Sequence, residues 1–286
     1  SYIFETGLLE TADLELYYKL SDKYNTPVLT ETINKCKTKL QSILKNKNEL
    51  FEIKAYFRIK DYKDKPVRFR PIHTADLITQ ICLVCLLNPI IFKDTQVADD
   101  KSKRTLSDIS QLIPANFYGN IPSVKVDEIF VNWKVKYSEF SERVISKYHE
   151  YKESNVYTHE VCLDLKDFFP SIIPAFIYNF ILNKLSLTYL DNERECLKRV
   201  LTKLLYFYID FDDTEGFDKI YYSDDIVESE SITRRVCRGI PQGLPQAYYF
   251  GNLCMIEISK IVSSVISGDS YYYVDDSVIY SNISEE

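Results

Sequence analysis

Tyr271-Tyr272-Tyr273-Val274-Asp275-Asp276-Ser277-Val278-Ile279-Tyr280 sets two short β-rich runs on either side of adjacent carboxylates. The pattern predicts a hairpin with Asp275 and Asp276 at its tip. Asp is a common turn residue, so one reading is a plain polar turn. An unpaired buried carboxylate is costly, so the other reading gives the pair a task. Upstream, Val161-Cys162-Leu163-Asp164-Leu165 alternates in the same way, which puts Asp164 on the strand face opposite Val161, Leu163 and Leu165. On the second reading Asp164, Asp275 and Asp276 converge on divalent cations. Magnesium takes carboxylate oxygens and keeps waters and substrate phosphates, and ions so held serve polymerases and nucleases.

Outward from these strands, the pattern changes period several times. Leu8, Leu9, Leu16, Leu20 and then Ile33, Leu40, Ile43, Leu44 recur near 3.6 and predict polar helices over 7–50. Phe51, Ile53, Ala55, Phe57 and Ile59 alternate with polar residues, which predicts a hairpin turning near Asp61 to Pro66. Asp76 to Ile91 has little polar face and reads as a buried helix. Within its apolar run, Cys82 and Cys85 read as packing cysteines rather than a metal pair, since no second pair stands at ligand spacing. The stretch from Pro114 to Pro122 reads as loop, Ser138 to Glu153 as a charged helix, Ser171 to about Leu185 and Asn192 to Tyr208 as helices. An acidic insert from Asp210 to Glu230 holds nine acidic residues and one Lys, and a further helix runs from about Gln246 to Val265. No repeat or linker divides the chain, which reads as one interwoven α/β unit.

Composition excludes other classes. The 286 residues, 45% hydrophobic and 27% charged, are those of a globular protein with length for a core, not of a disordered chain or miniprotein. Seven scattered cysteines, an odd number, offer no disulfide framework and point to a reducing cytoplasm. The apolar run ending at Phe92 is shorter than the ~20 residues of a membrane span. The start, Ser1-Tyr2-Ile3-Phe4-Glu5, has no basic and apolar signal pattern and no Met, which suggests trimming.

Three stretches occur in order: Leu163-Asp164-Leu165-Lys166-Asp167-Phe168-Phe169-Pro170-Ser171-Ile172, Arg238-Gly239-Ile240-Pro241-Gln242-Gly243-Leu244-Pro245 with Asn252-Leu253, and Tyr273-Val274-Asp275-Asp276. Together they resemble palm motifs A, B and C of the reverse transcriptase family. Arg70-Pro71-Ile72 with Asp76, Ile78 and Gln80 resembles the fingers motif of bacterial members. The resemblance spans about Lys65 to Tyr280. It implies an α+β fingers-palm architecture, with a ferredoxin-like palm sheet carrying helices on one face. The corresponding regions are an N-terminal helical part over 1–50, fingers over 51–135 and palm over 136–286, with the acidic insert at 210–230. The later palm motifs, primer grip and thumb of the family have no counterpart here, which implies a fragment of a longer protein. The insert and N-terminal region are most similar to bacterial defence-associated, abortive-infection type members.

Carried over by residue, the resemblance implies that Asp164, Asp275 and Asp276 are catalytic and hold two magnesium ions, or manganese, with the Leu165 carbonyl as an extra ligand. Phe169 falls where the family packs an aromatic under the sugar, which excludes a 2′-hydroxyl. Gln242 and Gly243 fall on the nucleotide pocket, and Arg70 on the triphosphate, a role suited to a guanidinium. Lys65 or Lys63 is the ammonium partner and Arg68 a rival for the Arg70 role. Ala247 stands where many members have Ser. Expected partners are an RNA template, a DNA or RNA primer and dNTPs, with a non-coding RNA, a partner protein or self-assembly compatible and no membrane. Untemplated or protein-primed synthesis shares the same motifs. An idle palm serving as a nucleic-acid-binding or assembly subunit has no need of clustered carboxylates that repel phosphate.

The net charge of -7 argues against a basic nucleic-acid binder until it is divided. From Lys35 to Arg70 stand twelve Lys+Arg and four Asp+Glu, so that segment is strongly basic and the remainder acidic. Phe51, Tyr56, Phe57, Tyr62 and Phe69 are interleaved with it, a mixture that suits single-stranded nucleic acid. A Lys-rich exposed helix followed by core aromatics gives the same pattern.

Overall fold

A computed structural model describes residues 11–22, 24–61, 68–93, 103–185, 191–210, 227–229, 232–234 and 237–282. In chain order the helices are α1 (Thr11–Ser21), α2 (Thr26–Lys45), α3 (Leu77–Ile91), α4 (Trp133–Ser154), a single turn α5 (Phe168–Ser171), α6 (Pro174–Leu185), α7 (Asp191–Leu205) and α8 (Pro245–Val265). The strands are β1 (Phe51–Asp61), β2 (Arg68–Thr74), β3 (His159–Asp164), β4 (Phe207–Asp210), β5 (Val227–Ser229), β6 (Ile232–Arg234), β7 (Gly268–Tyr273) and β8 (Asp276–Ser281). The class is α+β. Among the described residues no helix is long and apolar enough to cross a membrane.

Two compact units result, each drawn from two separated stretches: 1–87 with 169–247, and 88–168 with 248–286. In the first unit, β1 pairs antiparallel with β2 and parallel with β4, in the order β2-β1-β4. The alternation in β1 buries Phe51 and Ile53 almost completely, but Ile59 near the hairpin end is exposed. Sequence periodicity extends the helix before β4 to Tyr208; the structure ends it at Leu205 and makes Phe207 and Tyr208 strand. Pairing of Phe51 with Phe207 and of Glu52 with Tyr208 buries both rings and satisfies their backbone, which outweighs helix propensity. Cys82 is buried as expected. Cys85 is exposed, because on α3 it falls beside a groove lined by Leu29, Ile33 and Leu40 of α2.

Lys203, near the end of α7, is almost completely buried. Its ammonium donates to the carbonyls of Asn46, at 3.0 Å, of Lys47, at 2.9 Å, and of Glu49. These carbonyls lie just past the C-terminus of α2, where backbone acceptors lack helical partners. Asp76 plays the matching part at the start of α3, accepting from the Thr79 backbone at 2.8 Å as an N-cap.

The second unit holds an antiparallel sheet ordered β3-β8-β7. Asn132 caps α4 by accepting from the Lys134 backbone at 2.9 Å, and Asn155 ends it at φ 51°. Tyr151, Tyr271 and Tyr280 form a buried cluster with Phe140, Val144 and Tyr157 against it. The Tyr280 hydroxyl donates to the Val144 carbonyl at 2.9 Å, and Tyr151 donates to Asp269. Tyrosines thus give this unit apolar bulk whose polar ends are satisfied, which accounts for part of the chain's richness in Tyr.

Candidate active site

Asp164, the last residue of β3, stands directly opposite Asp276, the first of β8. Asp276 in turn stands opposite Tyr273, the last of β7. Directly opposed residues share a sheet face. Asp164 and Asp276 therefore lie on one face with Cys162, Val278, Tyr271 and Tyr273. Along β3 the exposed positions 160, 162 and 164 alternate with half-buried Val161 and Leu163. Burial raises the Asp276 pKa above the ordinary carboxylate range, and the Asp164 charge raises it further. The two carboxylates feel each other across the strands.

Asp275 follows Val274 in the two-residue turn between β7 and β8. Val274 has φ 58°, a region rare for a β-branched residue. A positive φ at the first turn position alone is the type II′ pattern, which favours Gly there. Strain of this kind costs about 1–3 kcal/mol and persists only where the surroundings impose it. The segment 116–120 supplies them. Tyr118 donates to the Tyr272 carbonyl at 2.9 Å and Tyr272 to that of Asn116 at 3.0 Å, so this segment runs parallel along β7. The Asn116 amide donates to the Ser270 carbonyl at 2.8 Å, and the Asn252 amide to those of Gly119 and Asn120 at 2.8 and 3.0 Å. Gly119 lies against the turn: a Cβ there would stand 2.5 Å from Val274 Cγ2 and 2.6 Å from Val274 N. Sequence reading treats 114–122 as loop and misses this support. Gly119 and the two asparagines are its only local signal.

The donor set fits a hard divalent cation in part. Two carboxylates that repel each other across a sheet gain from a shared cation, and magnesium accepts one or two carboxylates when phosphates and water complete its shell. Among the described residues no group of three or more His, Cys, Asp or Glu is placed to hold a metal ion, so Asp164, Asp275 and Asp276 do not form a three-carboxylate set here. Leu165 follows Asp164 directly and is half-buried.

The remaining candidates belong to the first unit. Phe169 is buried, and its carbonyl accepts from the Ile240 backbone at 3.0 Å. Gly239, at φ 68°, makes this approach possible, since a Cβ would strike the Phe169 and Pro170 carbonyls. Gly243 is buried at φ 114°. The Gln242 carbonyl accepts from the His73 backbone at 2.7 Å and faces His73 Nδ1 at 3.3 Å. Arg70 is exposed on β2, directly opposite Arg58 on β1. Such a like-charge pair is unfavourable unless an anion bridges it, and sequence reading overlooked Arg58. Arg68 is placed only by its backbone, opposite Asp61, and Lys63 and Lys65 lie outside the described residues.

Burial pushes the His73 pKa down to about 4, against the opposing effect of the Gln242 bond. A neutral ring next to a carbonyl carries its proton on Nδ1. Its Nε2 then faces the Cys237 thiol, at 3.7 Å, as acceptor. Because the folded pKa lies below the unfolded one, the unfolded chain takes up the proton first on acidification. Stability is complete above about pH 6.5 and declines as pH falls toward the folded pKa, by about 3 kcal/mol in total. The expected result is a His73 ring resonance that titrates near pH 4 by NMR, and a pH-dependent loss of stability below 6.5 that His73→Gln reduces. An ordinary titration midpoint near 6.5 contradicts this.

The structure thus groups Asp164, Asp276 and the Asp275 turn on one unit, and Phe169 with the Gly239 loop and Gln242 with His73 on the other. A scan against protein-family models matches none, and a search of the curated proteins finds no match.

Proposed function

We propose that this chain is the fingers-palm part of a reverse transcriptase, an RNA-directed DNA polymerase that joins dNTPs to a primer 3′-hydroxyl with divalent metal. The observation that carries the reading is the register of Asp164 against Asp276 at the end of a hairpin whose turn bears Asp275. The sheet order β3-β8-β7 supports it, since it brings the motif A strand beside the motif C hairpin.

Asp164, Asp275, Asp276 and the Leu165 carbonyl would hold the magnesium, which when bound promotes attack by a hydroxyl and stabilises a leaving pyrophosphate. The chain's own residues do the rest. Arg70, with Arg58 beside it, binds the triphosphate, and the Phe169 ring rejects a 2′-hydroxyl. Gly243 leaves room for close backbone approach in the nucleotide pocket that Gln242 helps to line. The resemblance suggests anti-phage defence, and the odd number of scattered cysteines suggests a reducing cytoplasm.

The test is primer extension on an RNA template with dNTPs, magnesium and a chelator control. Templated, magnesium-dependent DNA that fails to form from ribonucleotides is the expected result. A product of defined sequence made with no template would move the reading to untemplated synthesis. Absence of both synthesis and metal-dependent dNTP binding by calorimetry would overturn catalysis altogether.

A further inference from the structure

We infer that Trp133 and Tyr137, at the start of α4, form a stacking platform for a single-stranded nucleic acid that passes the carboxylate end of the second unit's sheet. The inference rests on the polymerase reading and adds to it where a strand is held. Both rings are large and about half exposed, Trp133 at 48% and Tyr137 at 52%. Exposed apolar surface marks an interaction site when it is grouped and held in place, whereas rings scattered singly do not. It is held in place here. The Tyr137 ring meets Tyr273 edge-on at 5.1 Å, and the Tyr273 hydroxyl reaches the Trp133 carbonyl at 3.5 Å. Tyr273 is the cross-strand partner of Asp276, so the ring that meets Tyr137 and the hydroxyl that reaches the Trp133 backbone stand at the carboxylate end of the sheet.

Charge selects the occupant. The Lys134 ammonium lies 5.7 Å from the Trp133 ring centroid, and the first turn of α4 has no acidic residue. Flat rings beside a cation match a ligand that offers flat bases and phosphates together, which a peptide does not. Every base has a π-face, so the platform tolerates any sequence, as copying requires.

Trp133 is the chain's one tryptophan, so its emission reports stacking directly. The experiment titrates the full chain with oligothymidylate of about 12 nucleotides, a length within the usual span of single-strand sites. Tryptophan emission and the anisotropy of an end-labelled oligonucleotide are read together. Saturable quenching is expected, with affinity roughly tenfold weaker in Trp133→Ala and weaker again when Lys134→Glu is added. Trp133→Phe should keep the affinity and lose the signal. Binding by anisotropy with unchanged emission, or with unchanged affinity in Trp133→Ala, overturns the platform and leaves the polymerase reading standing. No binding together with no primer extension overturns both. Self-association that depends on Trp133, without quenching, overturns it in favour of a contact between copies of the chain.

Discussion

Asp164→Asn protein is expected to incorporate dNTPs at least about a thousandfold more slowly than the parent and yet to melt about 1–3 °C higher in chelator. The loss follows from the role proposed for the residue: ligands that position charge for phosphoryl transfer supply several kcal/mol, and each 1.36 kcal/mol is about tenfold in rate. The gain follows from the sheet. Asp164 faces Asp276 directly, and like charges opposed across strands cost up to about 1 kcal/mol, or a few degrees in a chain of this size. The pH dependence has a defined sign. The folded pKa of Asp276 is raised, by burial and then by Asp164, so between the unfolded value of about 3.9 and the folded one the folded state holds more protons. Stability therefore falls as pH rises through that window, and Asn at 164 shrinks the fall. Magnesium should raise the parent's melting temperature and not the variant's. Differential scanning calorimetry at several pH values, with and without magnesium, checks all three. A variant that melts lower than the parent in chelator would falsify the opposed-carboxylate account.

Lys203→Met should destabilise the first unit by about 2–4 kcal/mol. Hydrogen bonds from a charged donor contribute about 1.5–3 kcal/mol each, and the ammonium makes three, to Asn46, Lys47 and Glu49. Burial opposes this, pushing the Lys203 pKa below the ordinary lysine range while Glu49 acts the other way, so the net loss is less than the sum. Met matches the length and apolar stem, and the loss then reports the donor alone. Urea unfolding measures it through the midpoint at unchanged slope. A neutral or stabilising result would place Lys203 among buried charges that hydrophobic isosteres replace freely. Lys203→Arg should recover only part of the loss, since a planar fork does not fit three carbonyls gathered around one ammonium.

Local pattern carried much of the fold. Alternation located β1, β3 and the β7–β8 hairpin, and apolar periodicity located α3 and α8, because each is decided by which face is buried. Phe207 and Tyr208 went astray because their state depends on β1, more than 150 residues earlier; a parallel partner leaves no local mark. The carboxylates were legible as a cost: acidic residues interrupting β-rich runs. Their opposition at Asp164 and Asp276 is a matter of register, which alternation constrains but does not number. Gly119, Arg58 and Trp133 were invisible for the same reason, since each matters through what stands across from it.

The division of each unit between two separated stretches has a consequence for how the chain is made. Residues 1–87 leave the ribosome long before β4, which completes their sheet, and residues 88–168 wait for the last hairpin. Neither half-built unit can close while the chain grows in order from the N-terminus. Phe51 must meet Phe207 by a long-range closure, a slow event by the usual dependence of folding rate on contact separation. During synthesis the edge of β1 that takes β4 stands uncovered for the time taken to translate more than a hundred further residues. The chain should therefore depend on holding chaperones, and slower translation should lower its yield unless they are present.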